Sequence, residues 1–71
     1  MLREDVWLGE HRVEIELHDD GRYRLAYGAL VEYTPGRRRV RRRTVPYTLR
    51  SVEQLRYDFE RDVQALGGAL G

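Results

Sequence analysis

Between residues 13 and 33 apolar and polar side chains alternate with a period of two, and this alternation restricts the fold more than any other feature of the chain. Val13, Ile15 and Leu17 point one way while Glu14, Glu16 and His18 point the other. From Tyr23 the same period resumes, with Tyr23, Leu25, Tyr27, Ala29, Val31 and Tyr33 on one face. A period of two belongs to a strand with one covered and one wet face. Directly opposed residues of an antiparallel pair share a face, so odd must meet odd, and the three-residue loop Asp19-Asp20-Gly21 satisfies that parity. The usual three-residue hairpin is a type I turn followed by a left-handed residue, which places Gly21 where glycine is needed. The expected register sets Leu17 against Tyr23, Ile15 against Leu25, Val13 against Tyr27 and Glu16 against Arg24.

A second turn is expected at Thr34-Pro35-Gly36-Arg37, where Pro35 presets the first central torsion and Gly36 takes the positive one of a type II turn. It sets Val31 against Val40 and Glu32 against Arg39. Continued without a break, the third strand would turn Val45 and Tyr47 to the wrong face, so a bulge is expected between Arg41 and Thr44, or at Gly28 on the partner strand. Pro46 cannot donate to a ladder and marks that strand as an edge. Ser51-Val52-Glu53-Gln54 reads as a capping box, with the Ser51 hydroxyl on the amide of Gln54 and the Gln54 side chain reaching back. Val52, Leu55, Phe59, Val63 and Leu66 then form one apolar stripe. Gly67-Gly68 should close the helix, with Ala69-Leu70-Gly71 frayed beyond it. The expected architecture is α+β: a three-stranded antiparallel β-meander packed on one C-terminal α-helix, in a single domain over 1–71. Residues 1–10 are read as irregular or a short strand, 11–50 as the sheet and 51–67 as the helix. Trp7 is expected to anchor the first segment in the core, because so small a core needs large apolar side chains.

At 71 residues a chain buries only about 60% of the surface its unfolded form exposes, which leaves no room for a deep catalytic cleft. Without cysteine there is neither a disulfide framework nor a thiolate metal site, and a cytoplasmic location follows as the expectation. His11 and His18 lie in no metal-binding spacing, and no metal or other cofactor is expected. No apolar run approaches the roughly 20 residues that span a bilayer, and no basic region followed by a hydrophobic stretch marks a signal peptide. Ser51, the lone serine, is engaged as a cap, and His18 beside Asp19 and Asp20 has no second convergent group, so an enzyme is not expected.

The functional signal is charge. The net charge is only +1, but residues 1–21 carry −5, residues 22–50 carry +8 and residues 51–71 carry −2. Gly36 is followed by six arginines in seven positions, Arg37, Arg38, Arg39, Arg41, Arg42 and Arg43. A genome that favours arginine codons would account for arginine replacing lysine throughout but not for this clustering. If the helix covers the odd face, Arg22, Arg24, Arg39, Arg41 and Arg43 share the open face with Glu14, Glu16 and Glu32. Arg37, Arg38 and Arg42 then lie at the turn or beside the bulge. These eight arginines are the candidate nucleic-acid-binding residues, since guanidinium groups clamp phosphates and pair with guanine in the major groove.

The order of three strands and a helix, with a basic second hairpin running from Gly36-Arg37-Arg38-Arg39 to Thr48-Leu49-Arg50-Ser51, resembles the arm-type DNA-binding domains of phage and transposon integrases. These are similar in fold to the plant AP2 domain. The resemblance covers about residues 11 to 66. It implies a small non-catalytic protein of phage or mobile-element type that binds nucleic acid, DNA ahead of RNA, through the sheet. Pro46 stands where that family has an aromatic residue, and Ser51-Val52 where its helix opens with an acidic residue and alanine. The alternative is a protein-interaction module, an antitoxin-like or inhibitory subunit that forms a homodimer or meets an acidic protein partner through its sheet edges. An arginine-rich edge that merely blocks aggregation is the structural reading of the same residues. The tyrosines at 23, 27, 33 and 47 fall on the inward parity and are expected in the core and at its rim.

Overall fold

The expected registers of both hairpins are present in the computed structural model, which describes residues 1–67. Leu17 faces Tyr23, Ile15 faces Leu25, Val13 faces Tyr27 and Glu16 faces Arg24. Val31 faces Val40 and Glu32 faces Arg39. The Asp19-Asp20-Gly21 loop closes with the Gly21 amide donating to the His18 carbonyl at 3.2 Å. Gly21 has φ +90°, a conformation that a side chain would strain. Pro35-Gly36 reverses the chain between Thr34 and Arg37 as expected.

The strand count differs. The order is β1 (Leu2–Leu8), β2 (His11–Leu17), β3 (Tyr23–Tyr27), β4 (Val31–Thr34), β5 (Arg37–Val40), β6 (Arg43–Pro46) and α1 (Val52–Ala65). They form one six-stranded antiparallel sheet in which every strand pairs with its sequence neighbours. Three strands become six because the second and third expected strands each fold back on themselves and the first segment adds an edge. Residues 23–33 reverse at Gly28-Ala29-Leu30, bringing Tyr27 opposite Val31. Gly28 has φ +53°, and a Cβ there would lie 3.0 Å from His11 Nδ1, so the turn has two reasons for glycine. Residues 37–49 reverse at Arg41-Arg42, bringing Val40 opposite Arg43. Both anticipated bulge positions are therefore chain reversals. The second restores Val45 to the helix side, because β5 presents even residues to the helix and β6 presents odd ones.

The helix lies on the odd face of β2 to β4. Leu55, Phe59 and Val63 are fully buried against Val13, Leu25, Val31 and Tyr33. Tyr33 stands edge-on to Phe59, with centroids 6.0 Å apart, and to Tyr47 at 4.9 Å; each such pair is worth about 0.5–1.5 kcal/mol beyond its burial. Ser51 caps the helix, its hydroxyl accepting from the Gln54 amide at 3.0 Å. The Gln54 side chain does not reach back; it donates to Asp58 Oδ1 at 2.8 Å. Val52 leaves the stripe and is exposed. Gly67 follows the helix at φ +91°, while the expected cap residue Gly68 and the expected frayed end, Ala69-Leu70-Gly71, lie outside the described residues. Trp7 is not a core anchor. It sits on the open face of β1 opposite Arg12 and is 68% exposed. Among the described residues no helix is long and apolar enough to cross a membrane.

Candidate nucleic-acid interface

The open face of the sheet is an alternating lattice of carboxylates and guanidinium groups. Glu14, Ala26 and Glu32 stand in register across β2, β3 and β4. Arg24 is one row further along β3 and donates diagonally to both acids, to Glu14 through Nη1 and to Glu32 through Nε at 3.0 Å. Arg24 and Glu16 are directly opposed, as the sequence predicts, but the bonds run to the diagonal neighbours. Arg12 donates to Asp5 through both Nε and Nη2 and lies 3.3 Å from Glu14. Its guanidinium holds the Asp5 carboxyl below the usual carboxylate range. Arg3 adds a looser contact with Glu16 at 3.7 Å. Arg22 lies in the first hairpin loop, where its backbone amide and Nε both bind Asp20 and lower that carboxyl's pKa. The candidate arginines 22 and 24 are thus neutralised by partners close at hand.

The β5–β6 hairpin is different in composition before it is different in geometry: residues 35 to 50 contain seven arginines and no acid. Two of the seven are engaged by other parts of the fold. Arg38 faces the helix and grips Asp62 with two bonds, Nε to Oδ2 at 2.8 Å and Nη2 to Oδ1 at 2.6 Å. The Tyr33 hydroxyl completes this triad by donating to Asp62 at 2.5 Å and accepting from Arg38 at 2.8 Å. Burial, reinforced by the Asp62 charge, raises the Tyr33 phenol well above its ordinary value. Tyr47 repeats the device with Asp58 at 2.6 Å, and its phenol is raised for the same reasons. Arg38 therefore latches the hairpin to the helix.

Arg39 does on the open face what Arg38 does on the covered one. Its Nη1 donates to the Ala29 carbonyl at 3.0 Å and to the Arg41 carbonyl at 2.9 Å. The Arg41 amide in turn donates to the Leu30 carbonyl at 2.6 Å. These bonds fasten the Arg41-Arg42 turn to the neighbouring Gly28–Leu30 loop. The tip is a built structure, and it presents Arg41, Arg42 and Arg43, all exposed and without a carboxylate partner among the described residues. Arg41 is also the one non-glycine residue there with positive φ, +56°. In a two-residue hairpin turn that position favours glycine or asparagine.

The placement of the eight candidate arginines corrects the single basic face expected from alternation. Arg24 and Arg39 do occupy the open face, but Arg22, Arg41 and Arg42 lie in turns, and Arg38 and Arg43 belong to the helix side of the sheet. Arg39, Arg41 and Arg43 therefore do not share the face opposite Phe59. Arg37 is exposed at the far end of β5, opposite Pro46. The sequence reading missed Asp62 and Asp58 as partners of Arg38 and Tyr47, since both lie beside the apolar stripe of the helix and face the hairpin only once the helix has docked. The cleft between α1 and β6 is lined by these same groups and by Arg61, and the tyrosine and carboxylate groups within it are bonded to one another or to Arg38 and Gln54. No protein-family model matches the chain, and no curated protein or solved structure matches it either.

Proposed function

We propose that the chain binds nucleic acid without a cofactor, DNA ahead of RNA, through the tip of the β5–β6 hairpin rather than through the sheet face. One observation carries this reading: three consecutive exposed arginines, Arg41 to Arg43, occupy a fastened turn in a segment that has no acid, while the other arginines of the sheet's centre are neutralised. Leaving three like charges adjacent and unpaired disfavours the folded chain, and a polyanion would relieve that repulsion. A two-stranded ribbon fits the B-DNA major groove, about 12 Å wide, whereas the major groove of A-form RNA is too narrow for it. An accessory role on phage or mobile-element DNA is the setting implied by the resemblance to integrase arm-type domains.

Fluorescence anisotropy with random-sequence duplex DNA tests the reading. If Arg41, Arg42 and Arg43 each neutralise one phosphate, log K falls against log salt with a slope of about −2.7, roughly a 40-fold loss between 50 and 200 mM. Absence of binding at about 10 μM protein in 50 mM salt, the low end of that range, overturns it.

A further inference from the structure

Among the described residues, four of the seven exposed large hydrophobic side chains belong to the first seven residues: Met1 (73%), Leu2 (41%), Val6 (50%) and Trp7 (68%). Leu2, Val6 and Trp7 lie on β1, a seven-residue strand at one edge of the sheet, and Met1 immediately precedes it. Leu2 and Val6 have the parity of the helix-covered face, opposite Leu17 and Val13, yet the helix does not cover them. Met1 and Trp7 have the parity of the open face. An edge strand also carries a row of backbone N–H and C=O groups unpaired within the sheet, a template on which another strand can pair. The far edge, β6, has four residues, ends at Pro46 and bears Arg43, the usual devices against pairing. β1 has no proline, and its charges are of both signs.

We propose that two copies of this chain pair through β1, antiparallel about a two-fold axis, with Glu4 facing Glu4 of the second copy. In this register Met1 faces Trp7 of the other copy, Leu2 faces Val6 and Arg3 faces Asp5, each pair occurring twice. All four exposed apolar residues of the segment gain an apolar partner once the ladder extends by one residue to Met1, whose sulfur then meets an aromatic ring, a favourable contact. The opposite charges of Arg3 and Asp5 meet on the open face. The two central glutamates are the one like-charged pair, and each lies 3.7 Å from Arg56 of its own helix. Neighbouring registers that keep the faces aligned are worse. Moving by one residue on each strand in one direction sets Asp5 against Asp5 and Val6 against Glu4; in the other it sets Arg3 against Arg3 and Leu2 against Glu4. A two-fold pairing is closed, so it gives a dimer rather than a fibre. This inference rests on β1 alone and is independent of nucleic-acid binding at the opposite edge.

The chain has no cysteine, which makes the register directly testable. Directly opposed residues of an antiparallel pair have Cα atoms about 4.5–5.5 Å apart, within the roughly 4.4–6.8 Å range of disulfides. Sedimentation equilibrium of the unmodified chain without DNA should give the dimer mass at about 100 μM, and Val6→Lys should weaken association about tenfold by setting a charge against Leu2 twice. Under mild oxidation Glu4→Cys should cross-link to a covalent dimer and Asp5→Cys should not. A monomer throughout, growth into larger polymers, or preferential cross-linking of Asp5→Cys overturns the proposal. Neither outcome bears on anisotropy with DNA, so the two readings fail separately.

Discussion

Arg24 and Arg41 carry the same side chain into opposite situations. Arg24 lies near the centre of the sheet between two glutamates and is a strut, its charge cancelled across β2 and β4. Arg41 lies at the tip of the last hairpin, in a strained backbone conformation and with no carboxylate beside it among the described residues. Counting arginines cannot separate these roles, because both residues belong to the +8 block. What separates them is whether the strand on either side supplies an acid. β2 and β4 supply Glu14 and Glu32 to β3, whereas β5 and β6 face each other with no acid between them. A guanidinium beside a fixed carboxylate has little charge left to offer a phosphate. One without such a partner keeps its full attraction.

The sharpest way to break this contrast is to remove the unpaired charges together. Replacing Arg41, Arg42 and Arg43 by glutamine should flatten the salt dependence of DNA binding by about 2.7 in slope and weaken binding at 50 mM salt by more than about 100-fold. Its unfolding free energy in urea should stay within about 0.5 kcal/mol of the parent, as expected for exposed substitutions. Unchanged binding would assign the cluster to protection of the sheet edge.

The next largest effect comes from an engaged arginine. Arg38→Met removes both bonds to Asp62, whose side chain is only 12% exposed, and leaves that carboxylate with the Tyr33 hydroxyl alone. The expected cost is about 2 kcal/mol in urea denaturation. Arg24→Met, at a more exposed site with two acids, should cost about 1 kcal/mol or less. Neither should alter the DNA salt slope while the chain is folded. A slope changed by Arg24→Met would mean that the paired sheet face also contacts DNA.

The same contrast explains which parts of the fold were legible in the sequence. Registers were legible, because Gly21 and Pro35-Gly36 carry explicit turn chemistry and parity does the rest. The reversal at Gly28-Ala29-Leu30 was hidden by parity itself: a three-residue loop joins Tyr27 to Val31, both odd, so alternation runs through the hairpin as if it were one strand. The reversal at Arg41-Arg42 was hidden because the sequence puts arginine where a turn residue is expected, although the broken alternation did mark the place. β1 was legible only as irregular or a short strand, because Leu2, Val6 and Leu8 share one parity with Glu4, and because Trp7 is apolar on the open face. For the site, the clustering of cations could be read. The identity of the engaged ones could not, since Arg38 meets Asp62 across 24 residues and only the docked helix decides it.

The tyrosine latches give a pH test of the covered side of the hairpin. Tyr33 and Tyr47 have phenols raised above 10.0 in the folded chain. The unfolded chain therefore loses these protons first, and the contribution to stability is fully present below about pH 10 and declines as pH rises further. Unfolding free energies from urea denaturation between pH 9 and 11 should fall with a slope of at most about 1.4 kcal/mol per pH unit for each tyrosine. Tyr33→Phe with Tyr47→Phe should flatten that fall. A residual fall after both substitutions belongs to Tyr23, whose phenol burial also raises; an undiminished fall would place the alkaline sensitivity outside the two latches.

The smallest expected effect is the most discriminating, because stability and binding should move in opposite directions. Arg41 holds φ +56°, a conformation costing a residue with a Cβ about 1–2 kcal/mol that glycine avoids, while glycine adds about 0.5–1 kcal/mol of entropy cost on folding. Arg41→Gly should therefore stabilise the chain by about 0.5 kcal/mol, a balance of those two, and make the DNA salt slope shallower by about 1. The backbone bonds from the Arg41 amide to Leu30 and from Arg39 to the Arg41 carbonyl do not depend on the lost side chain, so the turn itself should persist. Arg41→Ala keeps the strain but loses the charge, and should weaken binding equally without the gain in stability. If Arg41→Gly is more stable and binds DNA as tightly as the parent with the same slope, Arg41 is not a phosphate contact, and its strained conformation has no function in binding.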